Sequence, residues 1–344
     1  MNTMKAVVYD RPGEFDVRQV PVPETGPGQV LLRVVAAGVC GTDLHLHEGE
    51  FGPVYPLTPG HEIVGEVVAA GPGVTEPSVG GLVALDNMDS CGRCVECRRA
   101  RPASCLNLVA EGVSSPGGFA EFVLTSADRC FPVDDLDPEV AVFAEPTACV
   151  VHGLDMLALP PSARVLIFGA GPTGLLLTQL LARSGAVELT VAAPTQAKLD
   201  LALTGGADRV IRTDRAQPEA ALEQLRTIAP DGFDLVVDAT GAPAVLQHTV
   251  PLTRAGGTVL VYGMTAESAT WSVSPYDIFR RELTIKGSYS QQFSFDRALA
   301  NLRSGRVDPA GMVTHRFSLD DYAGALAAVA DSACVKALVT PALG

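Results

Sequence analysis

The spacing of apolar residues along the chain changes near residue 165, and the change predicts two kinds of architecture. Before it, short apolar runs such as Ala6–Tyr9, Val30–Val35 and Ile63–Ala69 are separated by proline and glycine clusters, which is typical of β-strands joined by turns. After it, apolar strands alternate with helical segments, as in a parallel sheet with crossover helices. This alternation stops at about Ile285, and the remaining stretch is too short to be a domain alone.

We therefore expect an α/β chain with two domains, in line with its 344 residues and roughly 150 residues per domain. Residues 150–287 are predicted to form a doubly wound parallel sheet of the Rossmann type. Residues 1–149 are predicted to form a β-rich domain, and residues 288–344 are expected to pack back onto it.

Composition and charge narrow the class of protein. Apolar residues make up 47% of the chain and charged residues 19%, as in a globular fold rather than a disordered chain. With 25 basic and 39 acidic side chains the net charge is −14, which disfavours nucleic acid and anionic membranes as partners. No secretory signal or membrane span is recognised, because glycines and a proline interrupt the apolar stretch Val165–Ala182. We expect a cytoplasmic enzyme that acts on a small molecule.

Four of the eight cysteines form a cluster, Cys91, Cys94, Cys97 and Cys105. In a chain expected to be cytosolic, this spacing indicates a metal site rather than disulfides. Four thiolates complete a tetrahedral zinc site with no open position, so its role is expected to be structural. The alternatives are four unrelated reduced thiols or a zinc ribbon for nucleic acid, and the acidic charge of the chain disfavours the ribbon.

A second, more dispersed set of metal ligands is predicted at Cys40, His61 and Glu62. Thiolate, imidazole and carboxylate all bind zinc, and three protein ligands with an open fourth position are typical of a catalytic ion. Glu145 is a fourth candidate, because a carboxylate inside the apolar run 140–154 is costly to bury unless it is paired, protonated or bound to a metal. A structural salt bridge is the alternative for Glu145.

A glycine-rich turn predicts a dinucleotide site. Gly169, Gly171 and Gly174, together with Pro172 and Thr173, form a GxGxxG motif between a predicted strand and a predicted helix. The first glycine allows the tight turn, the second lets the backbone approach the diphosphate, and the third lets helix and strand pack closely. The diphosphate then lies at the helix N-terminus, which favours anions.

The acidic residue that usually binds the adenosine ribose of NAD is absent from this motif. Ala193 stands at that position, so no carboxylate would repel a 2′-phosphate. Thr195, Lys198 and Arg212 are candidates to bind the phosphate. The sequence therefore favours NADP(H) over NAD(H), with the reservation that Lys198 also fits enzymes that use NAD.

These motifs together resemble the zinc-dependent medium-chain dehydrogenases, and the resemblance runs in order from about Lys5 to Val339. The glutamate–proline pair and the GHE motif resemble the polyol, sorbitol and threonine dehydrogenase branch more than the ethanol branch. The segments that carry the resemblance are CGTD (40–43), GHE (60–62), CGRCVECRRARPASC (91–105), GGFAEFV (117–123), EPTACVVHG (145–153) and GAGPTG (169–174).

The resemblance implies a GroES-like catalytic domain made from both ends of the chain, a Rossmann domain between them, and a homodimer or homotetramer. Thr42 and His45 match the family's proton-relay positions, and an exposed loop histidine is the alternative for His45. Glu145 matches a carboxylate that binds zinc directly or through water. His47 is expected to be an exposed loop residue.

Further side chains have two interpretations each. Phe51 and Phe119 either line the substrate pocket or pack in the core, whereas His152 is expected in the core. Gly81 replaces an aspartate that is usual in the family, and we expect it to alter only a local turn. The resemblance places four residues where later Rossmann strands end near the cofactor: Asp238, Thr240, Gly241 and Gly263.

The implied reaction is the reversible oxidation of a secondary hydroxyl of a polyol or sugar alcohol to a ketone. Hydride transfer would use NADP(H) or NAD(H), and each chain would bind one catalytic and one structural zinc ion. A β-hydroxy amino acid or a cyclitol is the alternative substrate. A non-catalytic zinc- and nucleotide-binding regulator is another alternative, which the complete ligand set disfavours. A zinc-free quinone or enoyl reductase of the same superfamily would lack both metal sets.

Overall fold

The computed structural model describes residues 2–184 and 188–343. The chain folds into two compact units. The first contains Met1–Cys149, Gln291–Arg303 and Val313–Gly344, and the second contains Val150–Ser290 and Ser304–Met312.

Residues 288–290, predicted to belong with the β-rich domain, lie in the second unit, which extends to Ser290. The segment 304–312 was also predicted to belong with the β-rich domain, and the structure places it in the second unit instead. Its attachment there is explained by Gln179, whose amide nitrogen donates to the carbonyl of Asp308 at 2.9 Å and whose amide oxygen accepts from the Asp308 N–H at 2.7 Å. Both hydrogen bonds join this segment to a helix of the second unit.

The first part of the chain is rich in short strands. Its elements are β1 (Thr3–Arg11), β2 (Glu14–Pro21), β3 (Gln29–Val39), α1 (Gly41–Glu48), β4 (Glu62–Ala70), β5 (Leu82–Leu85), β6 (Met88–Asp89), α2 (Val95–Arg98), β7 (Val109–Ala110), β8 (Phe122–Ser126), β9 (Cys130–Pro132), α3 (Pro138–Ala141) and α4 (Ala144–Asp155).

The middle part alternates strands and helices. Its elements are β10 (Arg164–Phe168), α5 (Pro172–Ala182), β11 (Glu188–Ala193), α6 (Gln196–Thr204), β12 (Arg209–Arg212), α7 (Glu219–Ile228), β13 (Phe233–Asp238), α8 (Pro243–Leu252), β14 (Thr253–Val261), α9 (Pro275–Arg281) and β15 (Thr284–Gly287). The last part contains α10 (Phe295–Arg303), β16 (Val313–Phe317), α11 (Tyr322–Ala330) and β17 (Lys336–Val339).

The main sheet of the first unit has the order β16-β17-β3-β4-β5-β9, with β8 also paired to β3. The C-terminal strand β17 runs antiparallel to β3, so the end of the chain completes the sheet that its beginning starts. A core of apolar side chains, including Leu32, Val67, Phe119 and Tyr322, packs on this sheet. Its burial is the main favourable term in the stability of the unit.

The sheet of the second unit has the order β12-β11-β10-β13-β14-β15, and all its neighbouring strands are parallel. This order confirms the predicted doubly wound Rossmann fold. Val165, Ile167, Leu235 and Val237 are fully buried, because helices cover both faces of such a sheet. The apolar stretch Val165–Ala182 forms β10 and α5, and no described helix has the length and apolarity that crossing a bilayer requires.

Candidate metal centres and cofactor site

Adjacent strands of the first unit bring the dispersed metal ligands together. Cys40 follows β3, His61 directly precedes β4, and Glu62 begins it. The thiol sulfur, an imidazole nitrogen and a carboxylate oxygen of these residues lie within 4.8 Å of one another. His61 and Glu62 are buried. Sulfur, nitrogen and oxygen donors at this separation fit a zinc ion.

The electrostatics of the group also fit a cation. Burial opposes a positive charge on His61, but its neighbours Cys40 and Asp43 together raise the pKa of His61 to about 10. The excess of negative charge that stabilises a protonated imidazole would equally stabilise a metal ion in its place. Burial, with a contribution from Glu62, raises the pKa of the Glu145 carboxyl to about 7.

Asp43, which sequence reasoning missed, orients two of these ligands. Its carboxylate accepts the backbone N–H of Cys40 at 2.8 Å, and its other oxygen lies 3.8 Å from Nδ1 of His61. Burial raises the pKa of Asp43 to about 6. A carboxylate behind a metal-binding histidine is a common supporting group in metal sites.

A second missed residue, Lys336, forms a buried ion pair with Glu62. Its ammonium donates to Oε1 of Glu62 at 2.5 Å, and both side chains are almost fully inaccessible to solvent. Burial opposes the charge of Lys336, yet Glu62 and Cys40 hold its pKa above the usual value. Gly38 makes room for the pair, since a Cβ there would lie 1.8 Å from Oε2 of Glu62. The predicted ligand Glu62 therefore shares its carboxylate with a protein cation.

Glu145 lies on α4 and is buried, but it is outside the group of three close donors. The thiol of Cys149, one turn further along the helix, donates a hydrogen bond to its Oε1 at 3.3 Å. The charge of His61 lowers the pKa of Glu145 and that of Glu62 raises it. His152 lies on the same helix and is half-buried.

The two predicted relay residues lie on α1, directly after Cys40. The hydroxyl of Thr42 is half-buried and lies 3.7 Å from the Cys40 sulfur. His45 follows one turn later, and its Nδ1 lies 2.6 Å from Oε2 of Glu50. His45 is therefore a half-buried helix residue rather than an exposed loop histidine.

Three aromatic side chains near α1 pack rather than project freely. The prediction of an exposed loop position for His47 is wrong, because it lies on α1 and its Nδ1 is 2.9 Å from the hydroxyl of Tyr9. Phe119 is fully buried and contacts the ring of Tyr322, so it belongs to the core. Phe51, like Met88, packs on a small apolar cluster formed by Leu46, Ala110 and Val113.

The four-cysteine set folds into a compact sulfur cluster. The Sγ–Sγ distances are 3.5 Å between Cys94 and Cys97, 3.8 Å between Cys94 and Cys105, and 3.5 Å between Cys105 and Cys91. A tetrahedral zinc site with Zn–S bonds of about 2.3 Å places its sulfurs about 3.8 Å apart. The observed separations fit such a site.

Backbone groups around the cluster favour thiolates. Hydrogen bonds from the Arg93 backbone and from the Asn107 side chain lower the pKa of Cys91 to about 6. The N–H groups of Cys91 and Asn107 each lie 3.3 Å from the sulfur of Cys105. Burial and the neighbouring thiols act in the opposite direction on Cys97 and raise its pKa to about 12. The loop thus favours the zinc-binding thiolate form at Cys91.

The predicted glycine turn joins β10 to α5. Gly169 has a φ of +106°, which favours glycine. A Cβ at Gly174 would lie 2.1 Å from the carbonyl of Gly169, whereas a Cβ at Gly171 would meet nothing within 4 Å. The third glycine is thus required by packing, and the second leaves open space before the N-terminus of α5, where Pro172 and Thr173 begin the helix. This open space fits a diphosphate.

The residues proposed for the 2′-phosphate lie at one edge of the Rossmann sheet. Ala193 and Arg212 are direct partners in the register of β11 and β12. Ala193 is buried and Arg212 is exposed. Thr195 is the N-cap of α6, and Lys198 lies in the first turn of that helix, both half-buried. Ala193 and Arg212 thus lie at the carboxyl ends of adjacent strands, and Thr195 and Lys198 lie at the start of the helix that follows β11.

Thr240, Gly241 and Gly263 lie where β13 and β14 end. Asp238 accepts hydrogen bonds from the Thr240 hydroxyl at 2.5 Å and from its backbone N–H at 3.0 Å. A Cβ at Gly263 would lie 2.1 Å from the nitrogen of Gly241. These contacts give Gly263 a packing role in addition to its proposed place beside the cofactor.

Comparison with known proteins agrees with this geometry. Residues 26–135 match the model of the alcohol dehydrogenase GroES-like domain, and residues 172–304 match that of the zinc-binding dehydrogenase. The chain is 41% identical to D-arabinitol dehydrogenase 1 of Uromyces fabae, covering 98% of this chain and 97% of that protein. It is 37% identical to D-altritol 5-dehydrogenase of Agrobacterium fabrum, covering 92% and 94%.

A solved structure shows the same overall fold. A zinc-binding dehydrogenase from Sinorhizobium meliloti 1021, bound to NADP, has a TM-score of 0.92 and 35% identity, with 99% of this chain and 100% of that chain covered. These similarities confirm the predicted GroES-like and Rossmann architecture and the predicted enzyme class. The chain is therefore a dehydrogenase that belongs to the zinc-dependent medium-chain alcohol dehydrogenase family.

Proposed function

We propose that the protein interconverts a secondary hydroxyl of a polyol and the corresponding ketone, with NADP(H) as its preferred hydride carrier. The observation that carries the proposal is the close donor set of Cys40, His61 and Glu62, with His61 and Glu62 buried, in a chain of the zinc-binding dehydrogenase family. The similarity to D-arabinitol and D-altritol dehydrogenases supports a polyol as the substrate class.

In the proposed site, Cys40 and His61 would hold the zinc ion, Glu62 would contribute a carboxylate oxygen, and Glu145 would bind directly or through water. When bound, the zinc ion would supply polarisation of a substrate oxygen, and the nicotinamide would supply the hydride acceptor or donor. Thr42 lies beside Cys40 and can take the hydroxyl proton at its Oγ1. His45 then takes up the proton on its imidazole and releases it to solvent.

The four-cysteine cluster is proposed to hold a second, structural zinc ion. Its four sulfurs complete the coordination shell, so no position is left for a substrate. Each chain would then bind two zinc ions with separate roles.

The NADP preference rests on the edge of the Rossmann sheet. Ala193 presents no carboxylate to repel a 2′-phosphate, and the exposed guanidinium of Arg212 is its register neighbour. Arginine binds phosphate well because its planar fork of donors matches the phosphate oxygens.

A homo-oligomer and a cytoplasmic location complete the proposal. Strand β15 ends its sheet, and apolar side chains on and near it are exposed, including Ile285, Tyr276 and Phe279, the last at 79%. Such exposed edges and patches favour association with another chain. A cysteine cluster arranged for metal rather than disulfides supports a reducing compartment.

The test is an initial-rate assay of nicotinamide reduction that crosses NADP and NAD with pentitols, hexitols, cyclitols, L-threonine and simple secondary alcohols. We expect the fastest turnover with a polyol and NADP. Faster turnover with L-threonine or a cyclitol than with the pentitols and hexitols would contradict a polyol as the substrate class. Faster turnover with NAD than with NADP would contradict the cofactor assignment. No turnover by zinc-loaded protein on any substrate would contradict the proposed function.

A further inference from the structure

The C-terminal end of α1 brings an acidic side chain onto the proposed relay histidine. Gly49 ends the helix with a φ of +83°, a conformation that favours glycine. The next backbone N–H, that of Glu50, donates to the carbonyl of His45 at 2.8 Å. The chain reversal thereby places the Glu50 carboxylate against the imidazole of the same histidine, at 2.6 Å from Nδ1.

This contact is not an ordinary surface ion pair. The side chains of His45 and Glu50 are only 20% and 22% exposed, so solvent competes weakly for them. The backbone hydrogen bond and the helix-ending glycine fix the geometry of the pair before any substrate binds. An exposed pair has no such constraint, and its side chains lose more entropy when they meet.

The chemistry of the pair defines the tautomer of the imidazole. A carboxylate only accepts hydrogen bonds, so the Nδ1 of His45 that faces Glu50 must carry the proton. In the neutral ring, Nε2 is then the nitrogen with a free electron pair. In the proposed relay, this is the ring nitrogen that can accept the proton released by the substrate hydroxyl.

We propose that Glu50 is a positioning residue that holds His45 in the Nδ1–H tautomer with Nε2 ready to accept the proton. The proposal rests on the proposed role of His45 in proton transfer. Glu50 acts through His45 and does not itself contact the reacting atoms. The same logic explains why a carboxylate that orients a catalytic histidine matters in other enzymes, where the wrong tautomer slows the reaction strongly.

The neighbouring Glu48 provides a matched control. Its carboxylate lies within 4.8 Å of both the imidazole of His45 and the carboxylate of Glu50, but Glu48 is exposed. Glu48→Gln and Glu50→Gln each remove one negative charge near the same ring. A loss common to both variants measures the charge alone, whereas a loss confined to Glu50→Gln measures the orienting contact.

The first test reads the tautomer without any turnover. The zinc-loaded protein is prepared with ¹⁵N-labelled histidine, and the signals of His45 are assigned by their disappearance in His45→Gln. We expect the protonated nitrogen to be Nδ1 in the unmodified protein and in Glu48→Gln, and to be mixed or Nε2 in Glu50→Gln. An Nε2–H tautomer in the unmodified protein, or an unchanged tautomer in Glu50→Gln, would overturn the proposal.

The second test is a double-mutant cycle on the polyol reaction. We expect Glu50→Gln to lower kcat about tenfold, because it removes part of the general acid–base contribution. The KM should change by less than about twofold. Glu48→Gln should stay within about twofold of the unmodified protein. In the His45→Gln background, Glu50→Gln should cause no further loss, because the two residues act as one unit.

The two tests separate the proposal from the proposed function. Additive losses in the cycle, or equal effects of Glu48→Gln and Glu50→Gln, would overturn the positioning role while leaving polyol oxidation intact. An unmodified protein with the expected tautomer but no turnover on any alcohol would instead contradict the proposed function, and with it the relay on which the role of Glu50 depends.

Discussion

The two proposed zinc sites of the first unit are built in different ways. The closed site takes all four sulfurs from the single segment 91–105, and the backbone N–H groups of Cys91 and Asn107 donate to the sulfur of Cys105. The open site combines Cys40 after β3 with His61 and Glu62 at the start of β4, and Lys336 from β17 pairs with Glu62. One site is local in sequence, and the other depends on the whole sheet.

This difference shows what each site is built to do. Four thiolates satisfy zinc completely, so the closed site needs only a loop that holds them. The open site, with its three close protein donors, would leave a coordination position for a substrate, and it keeps the buried charges of Glu62 and Lys336 next to each other. Such charges are tolerated only when each has a partner. The open site therefore relies on paired charges drawn from distant parts of the chain.

The largest expected effect comes from the open site itself. Cys40→Ser removes the soft thiolate ligand, so we expect the protein to lose one zinc ion per chain and turnover to fall by about a thousandfold or more, since the metal supplies several kcal/mol of transition-state stabilisation. Zinc analysis and initial rates measure both. Cys334→Ser is the control, because Cys334 is buried in the same unit but belongs to neither ligand set. Near-normal turnover by Cys40→Ser would refute the assignment of the open site.

The dependence of the open site on buried charge is tested by Lys336→Met. In the metal-free protein, the loss of this cation leaves the Glu62 carboxylate buried and without a positive partner, so we expect the free energy of unfolding of that form to fall by about 3 to 5 kcal/mol in denaturant titration. Adding Glu62→Gln should restore much of the loss. Lys5→Met, whose partner Asp320 is largely exposed, should cost less than about 1 kcal/mol. Equal effects of the two lysine variants would show that burial of the pair is unimportant.

The closed site should affect stability rather than chemistry. For Cys97→Ser we expect one zinc ion fewer per chain and a Tm lower by roughly 5 °C, equivalent to about 2 kcal/mol. Turnover per folded molecule that keeps the zinc ion of the open site should change little. If turnover is abolished while Tm is unchanged, the structural role of the four-cysteine cluster is wrong.

The smallest expected effect concerns the cofactor. Ala193→Asp introduces a carboxylate at the end of β11, where Arg212 is the register partner. Because this carboxylate would repel the 2′-phosphate of NADP, we expect the ratio of kcat/KM with NADP to kcat/KM with NAD to fall by about tenfold or more. Ala197→Asp adds the same charge at an exposed position of α6 and should shift the ratio less. Equal shifts would mean that general charge, not position 193, determines the preference.

Much of the fold and of the candidate sites could be predicted from the sequence, because the residues concerned lie close together along the chain. The cysteine cluster and the glycine turn each lie within a short segment, so their geometry follows from a few residues. The βαβ alternation likewise predicts the Rossmann sheet, because apolar strands buried on both faces have a recognisable pattern.

The partners of the open site required the fold. Lys336 and Glu62 are brought together by the pairing of β17 and β4 with opposite sides of β3, which spacing along the chain does not reveal. A signal was nevertheless present, since Lys336 interrupts the apolar run 333–339 and a buried cation needs an anion. His47 was misjudged for a similar reason, because its partner Tyr9 comes from the distant strand β1.

The measurement that tests the account most directly follows zinc content, polyol turnover with NADP and Tm while a chelator removes metal in steps. We predict two zinc ions per chain at the start. Loss of one ion should abolish turnover with little change in Tm, loss of the other should lower Tm, and added zinc should restore both. Full turnover in protein that has lost all its zinc would contradict the account.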